Sequence, residues 1–306
     1  MKQARYPVRN RRRRLKAAAP LILALLGIFS LLRLFSIYPN HHAQEIEPPQ
    51  PVVGKVSMIY GNHSIYERGL ETHREHSRRH GYPLIVLRRP ILDGVWNKYA
   101  ILLSALLEEL QKPPHKRLQW LFWADGDTVL MNPNIPLEIF LPPPHIKDVH
   151  MLLTKDWNGM NNGVFPIRVH PWSVELLSSA IAYPRLHPEV DLYWPDQSAL
   201  QNVLDGSPYF SSSVVYCPLR WFNAYMGKPD GSGLNPDSPK YLQIHPGDLL
   251  VHFPGTPPDH LNTTIGPYLD IAESHRAHWE LPLESTGYVE ETRRFWEDFR
   301  PSPLGA

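Results

Sequence analysis

At 306 residues, with 42% hydrophobic and 11% aromatic side chains, the chain has enough apolar material for one large folded domain or two small ones, which excludes a disordered protein. The formal charge of +1 hides an asymmetry: Lys2, Arg5, Arg9, Arg11 to Arg14 and Lys16 place eight cations and no acid in the first sixteen residues, and the rest, with 23 Lys and Arg against 30 Asp and Glu, is formally −7. An acidic body argues against nucleic acid as a partner, and the single cysteine, Cys217, excludes an internal disulfide without fixing a redox compartment.

The basic run leads into an apolar one. Ala17 to Leu32 carries no charge and, allowing Arg33, the apolar character continues to Tyr38; as helix, residues 17–38 span about 33 Å, enough to cross a bilayer. Cations before the span stay cytoplasmic, so the expected topology is a single-pass type II signal anchor with the bulk of the chain lumenal. A cleaved signal peptide is the alternative, opposed by the lack of a small-x-small cleavage site. The sequons at Asn62 and Asn262 fit a secretory compartment. Residues 39–51, with Glu47-Pro48-Pro49-Gln50-Pro51, read as a stem.

A folded domain is expected over residues 52–296, followed by a tail at 297–306. Val52 to Tyr60 reads as a first strand, Tyr66 to His80 as a polar helix stopped by Gly81, and Leu84 to Leu87 as a second, buried strand. Tyr99, Leu102, Leu103, Leu106, Leu107 and Leu110 recur at spacings of three and four, the stripe of an amphipathic helix ended before Pro113-Pro114. Trp120 to Trp123 is a third strand, and the strand–helix alternation predicts an α/β fold with a mostly parallel, Rossmann-like central sheet and flanking helices. Later elements are a strand at Met151 to Leu153, helices over Trp172 to Ala182 and Asp196 to Leu204, and a strand at Leu249 to Phe253, in a second half that 33 prolines make loop-rich.

The chemistry concentrates at strand ends, where ligands sit in such sheets. Asp125-Gly126-Asp127 leaves the third strand with two hard oxygen donors, suited to Mn²⁺ or Mg²⁺; an ordinary Asp-Gly-Asp turn is the alternative. Lys98, at the start of the amphipathic helix, offers a cation to phosphate, or is a solvated surface lysine. Asp156 to Phe165, with Asn161 and Asn162, suits a tight loop presenting amides to hydroxyl groups. Asp196 after Pro195 is either a helix cap or a site residue, and Gln197 offers an amide to a sugar or phosphate. His252 at the end of a late apolar run is a core histidine or completes an ion's shell beside Asp127.

These segments together, Trp123-Ala124-Asp125-Gly126-Asp127 with Asn132-Pro133, Asp156-Trp157-Asn158-Gly159 with Asn161-Asn162-Gly163-Val164-Phe165 and Arg168, Trp172-Ser173, Asp196-Gln197-Ser198-Ala199 and His252-Phe253-Pro254-Gly255, resemble glycosyltransferase family 34 over about residues 55 to 255. That family includes fungal Golgi alpha-galactosyltransferases, mannan polymerase subunits and plant xyloglucan xylosyltransferases. The resemblance implies a GT-A fold, a nucleotide-sugar donor such as UDP-galactose or GDP-mannose, Mn²⁺, retention of anomeric configuration and a glycan or glycoprotein acceptor. It assigns Asp125, Asp127 and His252 to the metal, and Lys98, Asp125 and Asn161 to the donor. Asn162, Asp196 and Gln197 fall to the chemistry of transfer. Gly126 stands where the family more often has serine or alanine, which is expected to loosen the loop, and no basic residue follows closely on Gly255.

The function expected is therefore a Golgi-membrane hexosyltransferase, held in the lipid bilayer by residues 17–38 and associating with other Golgi glycosyltransferase subunits. Its rivals are a catalytically silent subunit of a Golgi glycan polymerase and a mannosyltransferase of another Asp-x-Asp family.

Overall fold

The computed structural model describes residues 51–61 and 63–300. The expected basic tail, the membrane span at 17–38, the stem as far as residue 50, the sequon at residue 62 and the last six residues lie outside the described residues. Among the described residues no helix is long and apolar enough to cross a membrane.

The first strand, β1 (Val53–Met58), is followed by helix α1 (Ser64–His80), strand β2 (Leu84–Leu87), helix α2 (Asn97–Gln111) and strand β3 (Trp120–Ala124). β1 pairs in parallel with both β2 and β3. Gly81, with φ of 72°, closes α1 in the left-handed conformation that glycine adopts without a Cβ penalty. β3 is buried throughout: Trp120, Phe122 and Ala124 enter one core with Phe140, Trp221 and Tyr288, while Leu121 and Trp123 enter the other with Tyr99, Leu102 and Trp172. Alternating side chains feeding two cores explain why the strand reads as a continuous apolar run. The α2 stripe is narrower than its leucine spacing suggests, because Leu107 is 49% exposed. Glu109 takes a buried place instead, its carboxylate accepting from the Leu118 amide at 2.9 Å.

After strand β4 (Thr128–Leu130), the chain forms β5 (Met151–Asp156), β6 (Gly159–Asn161), β7 (Val164–Arg168), helices α3 (Pro171–Leu186) and α4 (Pro195–Asp205), and strand β8 (Val214–Cys217). The main sheet runs β2-β1-β3-β7-β5-β6, with β8 also on β5. It is mixed, which corrects the expectation of a mostly parallel sheet: β7 enters antiparallel between β3 and β5, β6 is antiparallel to β5, and the other pairings are parallel. The cause lies in Asp156 to Phe165, which is a hairpin and its return strand, where the sequence suggested only a loop.

That return strand is interrupted. Thr154 pairs with Asn161, a register that would carry Met151 to Val164, yet Met151 pairs with Ile167. The extra length is absorbed around Asn162-Gly163, a bulge that turns these groups out of the ladder.

A second sheet, β4-β10-β9, is made by β4, β9 (Ala224–Tyr225) and β10 (Leu250–His252), with β10 antiparallel to β4. Thr128 pairs with His252, and the Phe253 amide donates to the Asp127 carbonyl at 3.0 Å. This ladder brings the two distant motifs side by side. Helix α5 (Gly266–Glu273) packs its apolar face beneath this sheet. Helix α6 (Tyr288–Asp298) runs past the boundary expected at Trp296 and, with Tyr288, Trp296 and Phe299, covers the core around Phe140.

Candidate active site

A cleft of about 700 Å³ opens at the carboxyl ends of β1 and β3 and is lined by all eight residues singled out from the sequence: Lys98, Asp125, Asp127, Asn161, Asn162, Asp196, Gln197 and His252. Four carboxylates, those of Asp125, Asp127, Asp156 and Asp196, share its walls with a single ammonium, that of Lys98.

Asp125 is held from two sides. The Trp123 indole donates to its Oδ1 at 2.7 Å, and Lys98 Nζ lies 3.1 Å from the same oxygen. Burial pushes the Asp125 carboxyl above the ordinary carboxylate range, opposed by the neighbouring Lys98. Lys98 is itself buried, which alone would lower its pKa, but Asp125 and Asp196 outweigh the desolvation and hold the ammonium charged. Its Nζ also donates to the Asn162 carbonyl at 3.1 Å and sits 3.0 Å from Asp196 Oδ2. Lys98 is therefore the fixed centre of the site. Asp196 is no helix cap: it occupies the first turn of α4, and its carboxylate accepts from Asn162 Nδ2 at 3.0 Å. Gln197 Oε1 accepts from the Asn162 backbone at 3.2 Å, which leaves its amide nitrogen facing the cleft.

The other half of the site is a chain of amides ending on His252. The Gly163 amide, a donor by necessity, donates to Asn161 Oδ1 at 2.9 Å. Asn161 Oδ1 thus also accepts from Asn223 Nδ2, at 2.9 Å, and Asn223 donates further to Thr154 Oγ1 at 2.7 Å. Asn223 then has only its Oδ1 to turn toward His252 Nδ1, 2.8 Å away, so Nδ1 carries the ring proton. In the neutral ring the lone pair is then on Nε2, 3.4 Å from Asp127 Oδ1. One ligand atom each from Asp125, Asp127 and His252 lies within 4.8 Å of the others. Two carboxylate oxygens and an imidazole nitrogen, with the imidazole braced by an outer amide, make a donor set that fits a divalent cation such as Mn²⁺.

Asn223 escaped sequence reading. Its signal was a lone amide in the run Leu219-Arg220-Trp221-Phe222-Asn223-Ala224-Tyr225, buried among aromatics. Tyr225 escaped too; its hydroxyl accepts from Asn161 Nδ2 at 2.9 Å and donates to Asp156. Two glycines are fixed by contact. A Cβ on Gly163 would sit 2.1 Å from His252 Cε1. One on Gly126 would lie 3.2 Å from the Met58 carbonyl, a tight contact that the end of β1 would have to relieve by a few tenths of an ångström.

Residues 142–260 match the model of the galactosyl transferase GMA12/MNN10 family, which bears out the resemblance to glycosyltransferase family 34. An uncharacterized alpha-1,2-galactosyltransferase of Schizosaccharomyces pombe is 26% identical over 222 residues, 60% of this chain and 61% of that protein. The probable alpha-1,6-mannosyltransferase MNN10 of Saccharomyces cerevisiae is 26% identical over 223 residues, 61% of this chain and 54% of that protein. The chain thus spans between half and two thirds of the length of these relatives. Among solved structures, a glycosyltransferase involved in the glycosylation of the major capsid of PBCV-1 shares the fold, with a TM-score of 0.54 and 16% identity over 71% of this chain and 99% of that one.

Proposed function

For a chain whose residues 142–260 match the galactosyl transferase GMA12/MNN10 family, we propose transfer of a hexose, galactose or mannose, from a nucleotide sugar to a glycan acceptor, dependent on a divalent cation and retaining the anomeric configuration. The observation that carries this reading is the convergence of Asp125, Asp127 and His252 Nε2 in a cleft whose carboxylates outnumber its one ammonium. A diphosphate entering that cleft meets net negative charge, and the missing basic residue after Gly255 is not replaced by another Lys or Arg on its walls. A dication is the charge that reconciles diphosphate and cleft.

When bound, Mn²⁺ supplies positive charge against the leaving diphosphate. Asp125, Asp127 and His252 are the residues that would hold it. Asn223 keeps the imidazole in the tautomer with a free Nε2, and Trp123 and Lys98 keep the Asp125 carboxylate from rotating. Gln197 orients the sugar from the α4 side, and the Asn162 side chain, which donates to Tyr99 and Asp196, holds that wall in place. Retention is supported by the state of the other acids. Asp156 accepts from Tyr225, Asn161 and the Asn158 amide, and Asp196 is tied to Lys98 and Asn162. Both carboxylates are committed to these partners, which favours attack without a general base from the protein. The acceptor hydroxyl then enters on the face that the diphosphate leaves, its oxygen bonding to the sugar as the sugar–phosphate bond breaks and its proton passing to a departing phosphate oxygen.

Residues 17–38 anchor the chain in a Golgi membrane with the catalytic domain lumenal, on the strength of the basic-to-apolar order of the N-terminus. The resemblance to a family that includes mannan polymerase subunits favours work beside other glycosyltransferase subunits. The test is hydrolysis and transfer with UDP-galactose, GDP-mannose and UDP-xylose, with and without Mn²⁺. Mn²⁺-dependent turnover of a galactose or mannose donor supports the reading. Tight nucleotide binding without turnover on any acceptor would make the chain a silent subunit.

A further inference from the structure

The cleft is edged by aromatic rings that the domain leaves uncovered. Trp157 is 67% exposed and Trp194 43%, and both line the cleft; Tyr193, beside Trp194, is 81% exposed. Single exposed aromatics need no explanation, but clustered ones at the mouth of a polar cleft mark a place where something apolar binds.

The backbone that carries Trp157 and Trp194 is fixed. Trp157 sits in the turn between β5 and β6, where Asp156 pairs with Gly159 and the Asn158 amide donates to Asp156 Oδ1 at 2.6 Å. Its indole meets Tyr225 at 5.1 Å and 65°, an edge contact, and with two thirds of the side chain exposed an indole face remains open. Trp194 precedes the first turn of α4; its amide donates to Ser198 Oγ at 3.2 Å and its carbonyl accepts from the Ser198 amide at 2.7 Å. Tyr193 and Trp194 meet at 4.7 Å and 86°. A backbone fixed in this way lowers the ordering cost of binding.

The sheet order says which part of a substrate they meet. The end of β1, with Met58 to Tyr60, is the side on which a Rossmann-like half takes a nucleotide. β3 delivers Asp125 in the middle, and β5 with its turn lies three strand spacings from β1, roughly 14 Å across the sheet. A nucleotide sugar laid along that path places its diphosphate at β3 and its hexose by Asn162 and Gln197, and the aromatic rim comes next.

From this placement we infer that Trp157 and the Tyr193-Trp194 pair form the acceptor subsite, stacking on the C–H faces of pyranose rings in a neutral oligosaccharide. The inference rests on the transferase reading for the direction of the substrate, and on the exposed rings for the site itself. The one cation among the cleft residues, Lys98, is taken up by Asp125 and Asp196, which suits an uncharged sugar at the rings and not an anionic one.

The test uses the full chain loaded with Mn²⁺ and UDP or GDP, titrated with manno- and galacto-oligosaccharides and followed by tryptophan fluorescence, calorimetry and acceptor KM. Trp157→Ala and Trp194→Ala are each expected to raise the acceptor KM about tenfold, as loss of a buried aromatic anchor does. Trp157→Phe keeps part of the affinity, and nucleotide affinity stays at the wild-type value in all three. Nucleotide binding with no saccharide response, or acceptor KM unmoved in both alanine variants, overturns the subsite and leaves the transferase reading standing. Saccharide binding that depends on Trp157 in a chain that binds no nucleotide upholds the subsite and removes the transferase reading. A nucleotide affinity that falls with the acceptor affinity in Trp157→Ala assigns the ring to the donor and overturns the inference.

Discussion

Gly163→Ala is the smallest change that tests how the site is assembled. The added methyl would stand 2.1 Å from His252 Cε1 and 2.8 Å from both ring nitrogens. A carbon pair settles at about 3.5–4.0 Å, so ring or backbone must yield by about 1.5 Å. The ring has nowhere to go without loss: it is 2% exposed, and its Nδ1 bond to Asn223 anchors it. Ligand positions tolerate about 0.2 Å, far less than that displacement. Overpacking of this kind costs about 1–3 kcal/mol of stability, and a displaced ligand is expected to weaken Mn²⁺ binding by about 10–100-fold or more. Calorimetric titration of Mn²⁺ into wild type and variant, beside their melting curves, reads both quantities. A variant that melts like wild type and binds Mn²⁺ equally well would refute the placement of His252 against Gly163.

Asn223→Ala should weaken Mn²⁺ binding by about 10–100-fold while nitrogen chemical shifts of His252 show a mixture of ring tautomers; a single unchanged tautomer would deny Asn223 its role. Lys55, buried in β1 with Nζ 3.2 Å from both the His73 carbonyl and His76 Nδ1, has its pKa pushed well down by burial. Its unfolded form binds a proton that the folded form resists, so folding is penalised below the unfolded pKa and gains as pH rises. Lys55→Met should therefore raise the melting temperature at pH 7, by about 2–4 °C for each kcal/mol gained, and by less at pH 9.5; a lower melting temperature would contradict this. Burial likewise lowers His73 and His76, and lowers His150 to about 4. Native protein takes up fewer protons than unfolded chain between that value and 6.5, so stability is whole above pH 6.5 and lost as pH falls. For His150 the loss is at most about 3 kcal/mol. Melting curves from pH 7.5 to 4.5 should show the decline, and His150→Phe should flatten part of it.

Features set by local pattern were legible in the sequence. β3 is an unbroken apolar run ending in two carboxylates, α2 carries its leucine stripe with Lys98 at its head, and β10 ends in His252; each signal lies within a few residues. Features set by pairing were not. The reversal of β7 between β3 and β5 comes from the hairpin turn at Trp157-Asn158, and its register from the bulge at Asn162-Gly163; both read as turn chemistry, which hid the mixed sheet and the return strand. The contact between Asp127 and His252 arises from the β4–β10 ladder, which spacing does not announce. Asp196 reads as a cap because it follows Pro195, but Lys98, from a different helix, claims its carboxylate. Helix α6 escaped because its polar face, Glu290, Glu291, Arg293 and Arg294, outweighs Tyr288 and Trp296 in a proline-rich region.

The central claim is that Asp125, Asp127 and His252 hold a divalent ion for a nucleotide diphosphate. Calorimetry of UDP and GDP binding to the full chain, with Mn²⁺ and with a chelator, measures it directly when Asp127→Asn is run beside wild type. The account predicts binding that requires Mn²⁺ in wild type and is absent in a normally folded Asp127→Asn. Nucleotide binding that ignores the ion, or that survives intact in the variant, would contradict it.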